Sequence, residues 1–262
     1  MVAARIALAV LALGSPFWAG NAGGFTVPSY SIASIVNAAS NGTGTLAPNT
    51  IATVYGSDLS YDTRAISTAD LSAGFLPVLL AGVQLYVGNI PAHLYYVSPH
   101  QINFLIPSSL TPGATRFVIV REGSAGPTIG IMLLEVAPSL FELNAETIVS
   151  THADGSLITK DAPAGGGEVI ILYALGLGHM FPDLFPGQVA IGPAPIQHKD
   201  LRVLVEGEPI DANRILYAGA APGFAGLYQL NVRLPDRIAP NPEIRISIAD
   251  QTSKPALKLP TR

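Results

Sequence analysis

The chain has 262 residues, no cysteine, a charged share of only 12% and a net charge of −4 at pH 7. This composition excludes disulfide staples, thiol catalysis and cysteine-ligated metal, and it leaves no basic stripe of the kind that binds nucleic acid. With 49% apolar residues the chain can fill the cores of two ordinary domains, and without disulfides its stability must come from apolar burial.

The first residues have the form of an export signal. Arg5 precedes the apolar run from Ile6 to Leu13, Gly14-Ser15-Pro16 breaks it, and Gly20-Asn21-Ala22 supplies small residues for cleavage. The run is far shorter than the roughly 20 apolar residues that span a bilayer, so removal of residues 1–22 is expected and no membrane span remains. Residues 23–50, rich in Ser, Ala, Asn, Gly and Thr, read as an extended lead-in. Thr50 to Tyr55 is β-branched and aromatic and closes at Gly56, the pattern of a strand. Arg116 to Val120 forms a second such run that enters the turn signal Arg121-Glu122-Gly123. Thr128 to Val136 is a third, ended by Ala137-Pro138. Further on, Asp154-Gly155 marks a tight turn, and Gly165-Gly166-Gly167 feeds a strand from Glu168 to Tyr173. Phe181 to Pro195 is dense in Pro and Gly and reads as a long surface loop. Helical spacings are broken by Gly or Pro within two turns throughout.

The chain also echoes itself. Tyr55, Gly82 to Val87, Pro91, Tyr96 and Gln101-Ile102-Asn103-Phe104-Leu105-Ile106-Pro107 are followed by Tyr173, Leu201 to Val205, Pro209, Tyr217 and Gln229-Leu230-Asn231-Val232-Arg233-Leu234-Pro235. Tyr55 to Pro91 and Tyr173 to Pro209 both span 36 positions (91 − 55 and 209 − 173). Such an echo points to two copies of one supersecondary plan. Because successive side chains of a strand face opposite ways, Ile102, Phe104 and Ile106 define an apolar face, as do Leu230, Val232 and Leu234. The opposite, partly solvated face carries Gln101 and Asn103 in one copy and Gln229 and Asn231 in the other. These amides are expected to satisfy a neighbouring backbone and fix register, the alternative being a polar ligand groove. Copy two has an insertion: Tyr217 to Gln229 is twelve positions against five for Tyr96 to Gln101, and the extra residues lie within 219–226. Sandwich domains commonly place recognition in such loops.

The segments Val36-Asn37-Ala38-Ala39-Ser40, Tyr95 to Phe104, Leu172 to Gly178 and Ala221 to Val232 resemble the uncharacterised C-terminal domain family of large secreted acidobacterial proteins. That family looks like tandem immunoglobulin-like modules of the IPT/TIG (early-set) type, and the resemblance covers residue 30 to the end. It implies a fold and an extracellular setting and no activity. This chain departs from it in that the unit is nearly the whole polypeptide, and in that Lys254 to Leu259 fit the final strand poorly. The expected architecture is therefore all-β: a signal peptide over 1–22, a lead-in plus first immunoglobulin-like sandwich over 23–141, and a second over 142–262, connected near 137–150.

Catalytic and metal patterns are thin. Glu122-Gly123-Ser124-Ala125-Gly126 lacks the first glycine of a nucleophile elbow, and the five histidines show no zinc-binding spacing. Asp58 and Asp62 lack the alternating run of a calcium loop, and Asn41-Gly42-Thr43 matches a glycosylation acceptor. Neither a metal nor a cofactor is expected. The best binding candidates are aromatic: Tyr95, Tyr228 and above all Phe224, which the insertion places between glycines. The expectation is a secreted or envelope-exterior, non-enzymatic interaction module whose partner is an extracellular protein or polysaccharide. A carbohydrate-binding module and a hydrolase with a dispersed site are the alternatives.

Overall fold

A computed structural model describes residues 26–262, so the expected export signal and the first residues of the lead-in lie outside the described residues. The described chain is all-β, built of antiparallel sheets, with three single-turn 3-10 segments. In the first half the strands are β1 (Ile35–Asn37), β2 (Ile51–Tyr55), β3 (Arg64–Ala65), β4 (Val83–Val87) and β5 (Ile90–Pro91). They continue with β6 (His93–Val97), β7 (Gln101–Leu105), β8 (Gly113–Arg121), β9 (Ser124–Ala125) and β10 (Ile129–Leu133). They form one sheet ordered β1-β2-β7-β6-β3 and another ordered β10-β8-β4-β5, with β9 on β8. Ile102, Phe104, Leu85, Phe117 and Ile119 fill the space between.

The second half opens with β11 (Ser139–Leu140), the hairpin of β12 (Glu142–Asn144) with β13 (Thr147–Ile148), and β14 (Ser150–His152). Then follow β15 (Val169–Leu175), β16 (Arg202–Val205), β17 (Glu208–Pro209) and β18 (Ile215–Ala220). The last are β19 (Tyr228–Arg233), β20 (Ile244–Ile248) and β21 (Gln251–Thr252). One sheet runs β11-β15-β19-β18 and the other β17-β16-β20-β21. Their shared core includes Leu172, Leu230, Val232, Ile246 and Leu259.

The echo in the sequence appears as equivalent strand registers. Tyr55 pairs Gln101 as Tyr173 pairs Gln229, and Tyr86 pairs Pro91 as Leu204 pairs Pro209. Asn103 opposes both Thr53 and Tyr96, and Asn231 opposes both Ile171 and Tyr217. Even the register shift recurs: β6 carries one extra residue between Leu94 and Tyr96, and β18 carries one between Ile215 and Tyr217. A bulge re-aims the side chain it displaces. Its residue in β6, Tyr95, is buried, whereas in β18 Leu216 is half exposed.

Three expectations need correction. The segment 23–50 is more than a lead-in, because it supplies edge strand β1 and the buried Leu46 and Ala47. The amide face of β7 is not partly solvated: all five residues of the strand are buried, and at its end Leu105 packs against residues of the second half. The equivalent β19 does alternate buried and half-buried positions. The Phe181–Pro195 stretch is a surface loop, and it is tied down. Val189 donates to Gly74 O at 2.9 Å, and Leu76 donates to Gly187 O at 2.9 Å, which lays this stretch across the first half. Finally, Lys254 to Leu259 do find a place, with Leu257 and Leu259 in the second core and Lys258 N–H bonded to Glu146 O at 2.7 Å.

Candidate functional site

The inserted loop of the second half does not project into solvent; it packs on the first half. Ala38, Ile51, Tyr95 and Leu105 from one half meet Phe141, Tyr173, Ala225 and Leu227 from the other in a third apolar cluster. Tyr95, turned by its bulge, donates its hydroxyl to Ala225 O at 2.5 Å and accepts from Ala225 N–H at 3.1 Å. Asn49 Nδ2 donates to the Tyr228 hydroxyl at 3.0 Å, and that hydroxyl donates in turn to Gly178 O. Burial raises both phenols well above the ordinary tyrosine range, so they stay neutral and serve as donors. Gly226 has φ +68° and lies so close to Leu105 that a Cβ there would stand 2.3 Å from Leu105 Cδ1.

The sequence-derived candidates therefore separate by location. Tyr95 and Tyr228 are buried in the seam, and neither offers a face for stacking. Phe224 is half-buried against the same cluster. Gln101 donates from Nε2 to Asn103 Oδ1 at 2.9 Å, and Thr53 Oγ1 donates to the same oxygen at 3.0 Å. Gln229 and Asn231 repeat this side-by-side bond at 3.3 Å. The amides are thus knitted into the sheet in both halves. Tyr55 bonds Asn41 Oδ1 at 3.2 Å, and Pro91 and Pro209 close short two-residue strands, where a missing N–H is tolerated. The Asp58 carbonyl accepts from the buried Arg121 guanidinium, which also stacks 3.9 Å from the Tyr61 ring centre and would repel a cation at that loop. Among the described residues no cluster of three metal-ligating side chains occurs.

A cleft of about 510 Å³ opens where the seam reaches the surface. One wall comes from the first half: Pro48 and Asn49 before β2, Ser108, Ser109 and Pro112 after β7, and Glu135 after β10. The other wall comes from Gly178, His179 and Met180 and from Asp183 to Pro186, including Phe185. The volume lies within the range of small-ligand sites. The Asn49–Tyr228–Gly178 relay ties the two walls together. Phe181 and Phe185 are each 71% exposed, a costly display for rings that normally bury their area. Proline-containing backbone around them and the pairing of 187–189 with 74–76 hold this segment in place.

Chemically the cleft offers ring faces, hydroxyls and carboxylates. His179 Nδ1 lies 3.7 Å from Asp183 Oδ1, with both side chains mostly in water. The two phenylalanines were legible only as aromatic residues flanking prolines in a loop; their exposure depends on the path of that loop across the other half.

No family model matches the chain, and no curated protein matches it. Among solved structures it is similar to the surface glycan-binding protein PbSGBP-B from Prevotella bryantii, at 11% identity over 88% of this chain and 41% of that one, with a TM-score of 0.27. It is also similar to SGBP-B of the Bacteroides ovatus mixed-linkage glucan utilization locus, at 9% identity over 82% and 43% of the chains, with a TM-score of 0.33. The extracellular region of plexin A4 matches at 10% identity over 84% and 15%, with a TM-score of 0.26. The chain spans less than half the length of each of these proteins.

Proposed function

We propose that this protein is a non-enzymatic binding module of the cell exterior, made of two immunoglobulin-like units docked on each other, with its ligand seated in the cleft between them. The observation that carries the reading is Phe185, 71% exposed in the lining of that cleft, on a segment clamped to the opposite half. A preorganised wall binds without the cost of ordering a loop, which favours recognition. The signal-like N-terminus supports the exterior location, and the matched strand registers support duplication of one unit.

The test is retention of the purified protein on immobilised extracellular polymers, polysaccharide and protein alike, with and without Phe185→Ala. Retention that drops with Phe185→Ala, from a polymer recovered chemically intact, is the expected result. Release of shortened products would make the protein an enzyme, and retention indifferent to Phe185 would move the site elsewhere.

A further inference from the structure

We infer that the cleft takes a neutral polysaccharide chain, an inference that rests on the cleft being the binding site. Its charge comes first. The lining carries the carboxylates Glu135 and Asp183 and neither lysine nor arginine, so a uronate, sulfate or phosphate polymer would enter against like charge with no cation to pair.

Its hydrogen-bonding complement comes second. Sugar hydroxyls both donate and accept. Glu135 and Asp183 accept, Ser108 and Ser109 do both, and the His179 ring presents an N–H. The ring of Phe185, which lines the cleft and is 71% exposed, suits the C–H face of a pyranose, which is flat and apolar where its rim is polar.

A peptide ligand fits less well. Extended peptides gain most of their affinity by pairing with a free strand edge. Here the walls carry Pro48, Pro112 and Pro186, which lack the N–H such pairing needs, and the segment opposite lies outside every strand. A basic peptide would have only two partly screened carboxylates to hold it.

Affinity electrophoresis separates these outcomes. The protein is run through gels containing neutral glucans, mannans, xylans or galactans, or polygalacturonate, and titrated with an oligoarginine peptide, at about 50 and about 500 mM NaCl, a tenfold range that sharply shortens the screening length. The expected result is retardation by at least one neutral polymer, unchanged by salt and weakened about tenfold by Phe185→Ala, the loss of one stacking face. Asp183→Asn, which removes charge and keeps the acceptor oxygen, should leave that retardation within about threefold. Leu216→Ala on β18, half exposed and outside the lining, serves as the surface control. Phe185-dependent binding of oligoarginine or polygalacturonate that salt abolishes would overturn the neutral-glycan inference while leaving the cleft as the site. Neutral-polymer binding insensitive to Phe185→Ala would instead remove the cleft. Failure of every neutral polymer to retard the protein also overturns the inference.

Discussion

Gly226→Ala is the sharpest probe of the seam. The residue sits at φ +68°, where an alanine costs about 1–2 kcal/mol because its Cβ crowds the following carbonyl. A Cβ would also stand 2.3 Å from Leu105 Cδ1, 3.0 Å from Asn49 O and 3.5 Å from Ile51 Cγ1. Leu105 is buried and cannot swing into solvent, so relief requires the two halves to move apart or the core to repack. Overpacking of this kind costs about 1–3 kcal/mol. Gly223→Ala in the same loop isolates that share: its φ is +88°, yet nothing lies within 4 Å of the added carbon. Urea unfolding followed by far-ultraviolet circular dichroism should therefore show Gly226→Ala less stable than Gly223→Ala by about 1–3 kcal/mol at similar m-values. Adding Leu105→Ala to Gly226→Ala should return part of the difference, a coupling that distant sites lack. Equal midpoint shifts for the two glycine variants would refute tight packing of this loop on the first half.

Tyr228→Phe deletes the hydroxyl between Asn49 and Gly178 and leaves two seam groups without their partner, so a loss of about 1–3 kcal/mol is expected by the same denaturation assay. It should also weaken any Phe185-dependent ligand, since the relay ties the cleft walls together. Stability should depend on pH through His152 and Glu168, whose side chains bond directly. The Glu168 hydrogen bond raises His152 above 6.5, so its stabilisation is full below that value and fades as pH climbs through the raised folded value. Burial pushes Glu168 up, but the Gly165 N–H and His152 outweigh it and hold it below 4.5, so its contribution is present above 4.5 and disappears as pH falls through the lowered value. Melting temperatures scanned across pH should peak between those limits, and Glu168→Gln should flatten the alkaline limb. Arg121→Met removes the guanidinium that bonds the Asp58 and Thr26 carbonyls, so limited proteolysis should expose the chain near residues 26–30 earlier than in the parent protein.

Much of the fold was legible because its determinants are local. Alternation along Gln101 to Ile106 and Gln229 to Leu234 sets which side chains face a core, whatever lies on the other side. Glu122 and Gly123, both at positive φ, make the turn their sequence announces. The spacing from Tyr55 to Pro91 and from Tyr173 to Pro209 anticipated the equivalent registers.

The site was much less legible. A tyrosine in a strand looks the same in sequence whether its ring is stacked on by a sugar or sealed by another sheet, and Tyr95 and Tyr228 proved to be sealed. Phe224 was singled out for standing among glycines, but Gly226 is there to let the loop approach Leu105, and Phe224 packs with it. In the sequence Phe181 and Phe185 are two aromatic residues in a loop defined by its prolines. Strand identity, turn position and internal echo follow from neighbours a few residues apart, and the amino-acid order alone determines them. Which faces are covered and which rings remain in water follows from contacts between residues more than a hundred positions apart, such as Tyr95 with Ala225 and Asn49 with Tyr228. Only the docking of the two halves decides those, because the burial of a face depends on what is brought against it.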